Sequence, residues 1–187
     1  MTNRSHEIEI KLEVPGAEEA RRLLREAGFR VSRRRVFEAN ALFDTPKLTL
    51  RKAGALLRVR DAGGVATLTY KGPATVFKHK SREELELRIA DPHIMSAIVG
   101  RLGLAPVFRY EKYRTEYRQS GGAGVAMVDE TPIGAYLELE GSPRWIDATA
   151  RRLGFSAKDY ITASYARLYT EWRRRRRIRA SHMLFRK

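Results

Sequence analysis

Cysteine is absent from the 187 residues. That excludes a disulfide frame, a thiolate metal site and a thiol nucleophile, and makes a reducing, cytoplasmic location the expectation. No apolar run approaches the ~18 residues that would span a bilayer, and the first ten residues hold no apolar h-region. A membrane span is therefore not expected. Histidine is scarce, with four residues at 6, 79, 93 and 182 in no ligand spacing, which argues against an imidazole-rich metal centre. Acidic residues are missing from the last stretch: residues 173–187 carry Arg173 to Arg177, Arg179, Arg186 and Lys187, eight of the fifteen net positive charges.

What is present divides the chain into a body, residues 1–172, and a basic tail, residues 173–187. The body is near +7 and mixes its basic residues with clusters of Glu that a plain nucleic-acid binder would not place among them. Its length suits one domain with a true core. The tail reads as a solvated helix end running into disorder, with "SHMLFRK" unstructured. Contact with RNA, membrane or another acidic surface is the functional alternative.

Three segments carry matching helix signals. "VPGAEEARRLLREAGF", "ADPHIMSAIVGRLGL" and "GSPRWIDATARRLGF" each end in Gly followed by a large apolar residue, and the last two begin with Asp91-Pro92 and Ser142-Pro143. A fourth helix is expected from Ser164. Between them the chain alternates with period two. "HEIEIKLEVP" sets Glu7, Glu9, Lys11 and Glu13 opposite Ile8, Ile10, Leu12 and Val14. The same pattern recurs in "ALLRVRD", "TLTYKG", "SREELELRI", "EKYRTEYR", "VAMVDE" and "AYLELEG", with Gly63-Gly64 and Gly121-Gly122 as hairpin turns. This predicts seven or eight strands, mostly antiparallel, each with one ionic face.

An open sheet with its polar side in water would show the same alternation. Two features favour enclosure instead. The polar positions are almost all Arg, Lys and Glu, and like charges two apart on a strand lie ~7 Å from each other and repel. Repeated Glu-x-Glu therefore implies a cation between the carboxylates, and oxygen-only ligands select hard metals, Mg²⁺ or Mn²⁺. The fold expected is α+β: a closed antiparallel eight-stranded β-barrel, a tunnel with helices packed on its outside. Its ionic interior must hold water, metal and an anion, because unpaired buried charges are too costly.

At Glu7-x-Glu9-x-Lys11, "LFDTPKLTLRKAGALLRVR", "LTYKGP", "KSREELEL", "EKYRTEY", "VDETPIGAYLELEG" and "SYARL", the chain resembles the CYTH or triphosphate-tunnel superfamily. That superfamily includes class IV adenylate cyclases, thiamine triphosphatases and inorganic triphosphatases. The resemblance implies that Lys11, Arg58, Arg60, Lys71, Arg82, Lys112 and Arg114 clamp a triphosphate. It implies that Glu7, Glu9, Glu138 and Glu140 hold Mg²⁺ or Mn²⁺, with Asp129 as a further metal carboxylate. Glu84 and Glu86 are candidates for a second metal or for orienting water, and Lys11 for assisting proton transfer. Leu42 departs from the family, which commonly has Tyr there, and is expected to pack outside. "DTP" at Asp44 is read as a turn cap or a site residue. Glu13, Arg88, Glu116 and Arg118 are expected at a solvated rim.

The function so implied is hydrolysis of a triphosphate: tripolyphosphate, a nucleoside triphosphate or thiamine triphosphate. Two alternatives stand beside it. One is cyclisation of ATP to cyclic AMP and pyrophosphate; the other is a non-catalytic module that binds polyphosphate, nucleotide or RNA. Monomer and homodimer are both compatible with the sequence.

Overall fold

The computed structural model describes residues 3–186. The strands are β1 (Asn3–Val14), β2 (Arg30–Asp44), β3 (Leu56–Ala62), β4 (Val65–Lys71), β5 (Thr75–Val76), β6 (Lys80–Ile89), β7 (Ala105–Arg118), β8 (Val125–Thr131) and β9 (Gly134–Glu140). Their hydrogen-bonded order runs β1-β9-β8-β7-β2-β3-β4-β6, and β6 returns to pair with β1. Eight strands therefore close an antiparallel barrel, as the alternation predicts. The short β5 takes over from β4 along β6 after a break at Gly72-Pro73, where proline has no N–H to give the ladder.

The eighth barrel strand is β2, which the sequence patterns do not single out. Arg33-Arg34-Arg35 interrupts its alternation, and the structure shows why: its register against β7 shifts between Val31 and Arg33 and again between Arg33 and Val36. Bulges of this kind put consecutive residues on one face and hide the period of two.

The helices are α1 (Ala17–Glu26), α2 (Thr49–Lys52), α3 (Pro92–Arg101), α4 (Pro143–Arg152) and α5 (Tyr165–Arg175). Asp91 accepts from the backbone N–H of His93 and Ile94, Ser142 from Trp145 and Ser164 from Arg167. Gly28, Gly103 and Gly154 close three of them at φ of 74°, 86° and 88°, a left-handed conformation that costs glycine nothing. The next residue then donates back to the helix, Phe29 to Leu24 O at 2.9 Å and Phe155 to Ala150 O at 2.9 Å.

The main hydrophobic core lies on the outside of the barrel. Ile10, Leu12, Val128, Leu137 and Leu139 face outward from β1, β8 and β9 and are covered by Leu24 of α1 and Ile146 and Ala150 of α4. Burial of each such side chain is worth about 1.5–3 kcal/mol. A second cluster closes one end of the barrel, where Tyr165 and Tyr169 of α5 meet Phe108, Tyr110 and Tyr136. No described helix is long and apolar enough to cross a membrane.

The tail begins as the expected solvated helix end but does not run into disorder. Arg173, Arg174 and Arg175 form the last turn of α5, and the chain then folds back onto β7. Met183 is fully buried, its backbone bonds to Arg109 and Glu111, and the Glu111 carboxylate accepts from Phe185 N–H at 2.9 Å. An apolar residue that completes the end cluster, rather than charge, decides where this segment goes. Of "SHMLFRK", Lys187 lies outside the described residues.

Candidate active site

Because the barrel is closed, the ionic faces meet in a circuit that can be followed rung by rung. Glu9 lies opposite Glu140 and Lys11 opposite Glu138 across β1 and β9. Asp129 faces Arg114, and Lys112 faces Glu38, through β8, β7 and β2. Asn40 faces Arg60, Arg58 faces Thr69, and Lys71 faces Glu84 through β3, β4 and β6. Arg82 opposite Glu7 and Lys80 opposite Glu9 complete the ring. Thus each clamp and metal residue named from the sequence points inward.

These side chains surround a cavity of about 90 Å³ that is also lined by Tyr110 and by Ser164, Tyr165 and Ala166 at the start of α5. Its wall carries eight cations, Lys11, Arg58, Arg60, Lys71, Lys80, Arg82, Lys112 and Arg114, against four carboxylates, Glu7, Glu9, Glu138 and Glu140. Four more carboxylates stand behind that wall. Glu38 is 3.6 Å from both Arg60 and Lys112, and Glu84 is 2.9 Å from Lys71. Glu86 accepts from Thr69 Oγ1 at 2.8 Å, and Asp129 accepts from Lys112 at 2.9 Å. With them the charges balance, which is the condition for burying so many ions together.

Individual groups are strongly perturbed. Burial would raise the Glu9 carboxyl, but Lys11 and Lys80 outweigh it and hold it well below the usual range, Lys80 Nζ lying 2.6 Å away. Glu7, 2.6 Å from Lys71, is lowered in the same way against its burial and Glu9. Burial likewise opposes ionisation of Glu38, yet Lys112 and Arg60 bring it down to about 2. Asp129 is fully buried and is held far below the ordinary value by Arg114 and Lys112, with Tyr165 Oη donating to it at 2.6 Å. Glu140 is the exception. Burial and the neighbouring Glu7 push it up to about 7 against the weaker pull of Lys71 and Arg114, neither of which forms a contact ion pair with it. Burial lowers Lys80 to about 8; burial and Arg114 lower Lys112 to about 8.

The structure separates the expected site residues into two sets. Lys11, the six other clamp cations and the four Glu of β1 and β9 reach the cavity. Glu84, Glu86 and Asp129 do not: they lie behind Lys71, Arg58 and Arg114 and orient them. Leu42 faces inward and lines the cavity, which corrects the expectation that it packs outside. The reason is register, since Leu42 follows Glu38 and Asn40 on the inner face of β2. Asp44 is a cap, its carboxylate accepting from the backbone N–H of Thr45, Leu50 and Arg51. Sequence reasoning missed Lys80, Glu38, Asn40, Tyr110 and Tyr165. The step of two before Arg82 points to Lys80, and the step of two before Lys112 to Tyr110.

The CYTH domain family matches residues 5–165, nearly the whole barrel. The chain belongs to the CYTH family. A Methanocaldococcus jannaschii protein provisionally named an adenylate cyclase is 31% identical over 136 residues, 73% of this chain and 77% of its own. A solved Pyrococcus horikoshii structure superposes on this CYTH chain with a TM-score of 0.74 at 26% identity, covering 88% of this chain and 98% of that one. A Hippeastrum protein, provisionally an adenylyl cyclase and described as having a dominant triphosphatase activity, superposes with a TM-score of 0.64. At 22% identity over 88% of this chain and 95% of that one, the Hippeastrum likeness concerns the fold alone.

The CYTH wall can be tested for a divalent cation by its donors. No three metal-ligating side chains converge among the described residues, because Glu7, Glu9 and Glu138 are held by lysines and Arg114. The donor type nevertheless fits a hard ion: four carboxylates on two adjacent strands, with Glu140 in no contact ion pair and raised beside Glu7.

Proposed function

We propose that this CYTH protein is a divalent-metal-dependent triphosphatase acting on tripolyphosphate, a nucleoside triphosphate or thiamine triphosphate. The observation that carries the reading is the wall itself, eight cations converging on one cavity with carboxylates interleaved among them. Arginine forks and ammonium groups match phosphoryl oxygens, which together compete for them against the wall carboxylates. Glu7, Glu9, Glu138 and Glu140 would hold Mg²⁺ or Mn²⁺, which would supply charge neutralisation on the phosphoryl oxygens.

Arg58, Arg60, Lys71, Arg82, Lys112 and Arg114 bind the chain of phosphates and stabilise the charge that develops on the terminal phosphoryl group. Lys11, 2.8 Å from Glu138, sits between the two sets and contacts phosphate. Water attacks the terminal phosphorus, the bridging P–O bond breaks toward the leaving diphosphate, and orthophosphate is released. Asp129, Glu84 and Glu86 keep the clamp cations in place from behind.

Cyclisation of ATP is the second reading, favoured by the name of the Methanocaldococcus relative and by one feature of the mouth. Beside the cavity, sharing Leu42, Leu56, Lys80, Arg82, Ser164 and Ala166 with it, opens a wider vestibule of about 590 Å³ lined also by Val76 and Phe108. It is large enough for an organic group. Incubation with ATP and with tripolyphosphate in Mg²⁺ or Mn²⁺ separates the readings. Orthophosphate from both substrates supports hydrolysis. Pyrophosphate with cyclic AMP from ATP alone supports cyclisation, and release of neither leaves a binding module.

A further inference from the structure

The arginine segment is a folded surface, set apart from the tunnel. Helix α5 places Ser164 to Ala166 at the cavity and its last turn about 15 Å away along its axis. Arg177 then adopts φ of 54°, the left-handed position usually left to glycine, and Ile178 N–H donates back to Arg173 O at 2.9 Å. Tyr169 Oη and Arg173 both donate to Ala180 O, and Met183 pins the returning strand. Five arginines, 174 to 177 and 179, are thereby held exposed within one turn, none with a carboxylate partner among the described residues. Such unrelieved like charge opposes folding and calls for an anion.

A groove of about 440 Å³ runs beside this turn, between α5 and the β8–β9 hairpin. Trp172, Arg175 and Arg176 line it with Leu168, Tyr136 and Glu13. The Arg176 guanidinium lies 5.0 Å from the Trp172 ring, and Tyr169 stacks on the same indole at 5.9 Å. A polyphosphate chain would engage the arginines and have no use for the groove. An anionic membrane would call for projecting apolar side chains, whereas Trp172 is recessed. A nucleotide uses both, its phosphates on guanidinium forks and its base on an aromatic wall, with a carboxylate to accept from an exocyclic amino group.

We propose that the arginine turn and the groove beside Trp172 bind single-stranded nucleic acid, independently of chemistry in the tunnel. The test is anisotropy of a labelled single-stranded RNA of about 16 nucleotides titrated with the full chain, alongside Trp172→Ala and the double variant Arg175→Glu/Arg176→Glu. Saturable binding that weakens as salt rises is expected, with quenching of indole fluorescence. Both variants should bind at least about fivefold more weakly, with tripolyphosphate turnover unchanged. No binding by the wild-type chain, or unaltered affinity in the charge-reversed variant, overturns the proposal. So does full affinity in a folded Trp172→Ala, or binding seen only with phosphatidylserine vesicles. If Trp172→Ala does not fold, the charge-reversed variant decides.

Discussion

Glu140 and Lys112 illustrate how one wall tunes groups in opposite senses. Glu140 is raised to about 7 because burial and Glu7 disfavour its charge, so it ionises through neutrality. Lys112 is lowered to about 8 by burial and Arg114, and Lys80 to about 8 by burial, so both lose their charge just above that. Turnover should therefore rise through pH ~7 and fall beyond ~8. In Glu140→Gln the acid limb should disappear while the alkaline limb stays, as read from kcat/KM against pH. Asp129 behaves differently: its lowered carboxyl confers stability that is fully present above the ordinary carboxylate range and is lost as pH falls from there through its own, lower value. Asp129→Ala leaves Arg114 and Lys112 buried without their main partner and should cost about 3–5 kcal/mol in urea unfolding. At this scale the inward residues were legible because alternation assigns faces. Depth was not: period two cannot tell a wall carboxylate such as Glu138 from one behind it such as Asp129, which depends on side-chain reach across the barrel.

Among elements, the three glycine-closed helices were legible from Asp91-Pro92, Ser142-Pro143 and their Gly-apolar endings, since caps are local chemistry. The strand β2 was not, because its bulges break the period on which the pattern depends. The path of the tail beyond its helix end was not legible for a related reason. Eight cationic side chains dominated its composition, while the residue that fixes its path, Met183, is a single apolar side chain with no periodic context. Met183→Ala should lower stability by about 2–5 kcal/mol and loosen the turn that carries the arginines. Hydrogen exchange at the Glu111 amide, which donates to Met183 O at 2.9 Å, should quicken in step. Protection equal to wild type would place the anchor elsewhere.

For the whole molecule, barrel closure is the decisive property. An open slab of the same strands would leave the ions of β1 and β6 in water; pairing of β1 with β6 turns them inward, while the apolar faces of β1, β8 and β9 lie under α1 and α4. The resulting interior pairs eight cations with carboxylates on the wall and behind it, a cost in folding that the core outside the barrel offsets. The most direct test is orthophosphate release from tripolyphosphate in Mg²⁺ by the wild-type chain, Arg58→Ala and Glu138→Ala, each shown to be folded by circular dichroism. Loss of at least about a hundredfold in both variants is expected. Wild-type rates in either would contradict the tunnel as the site of chemistry.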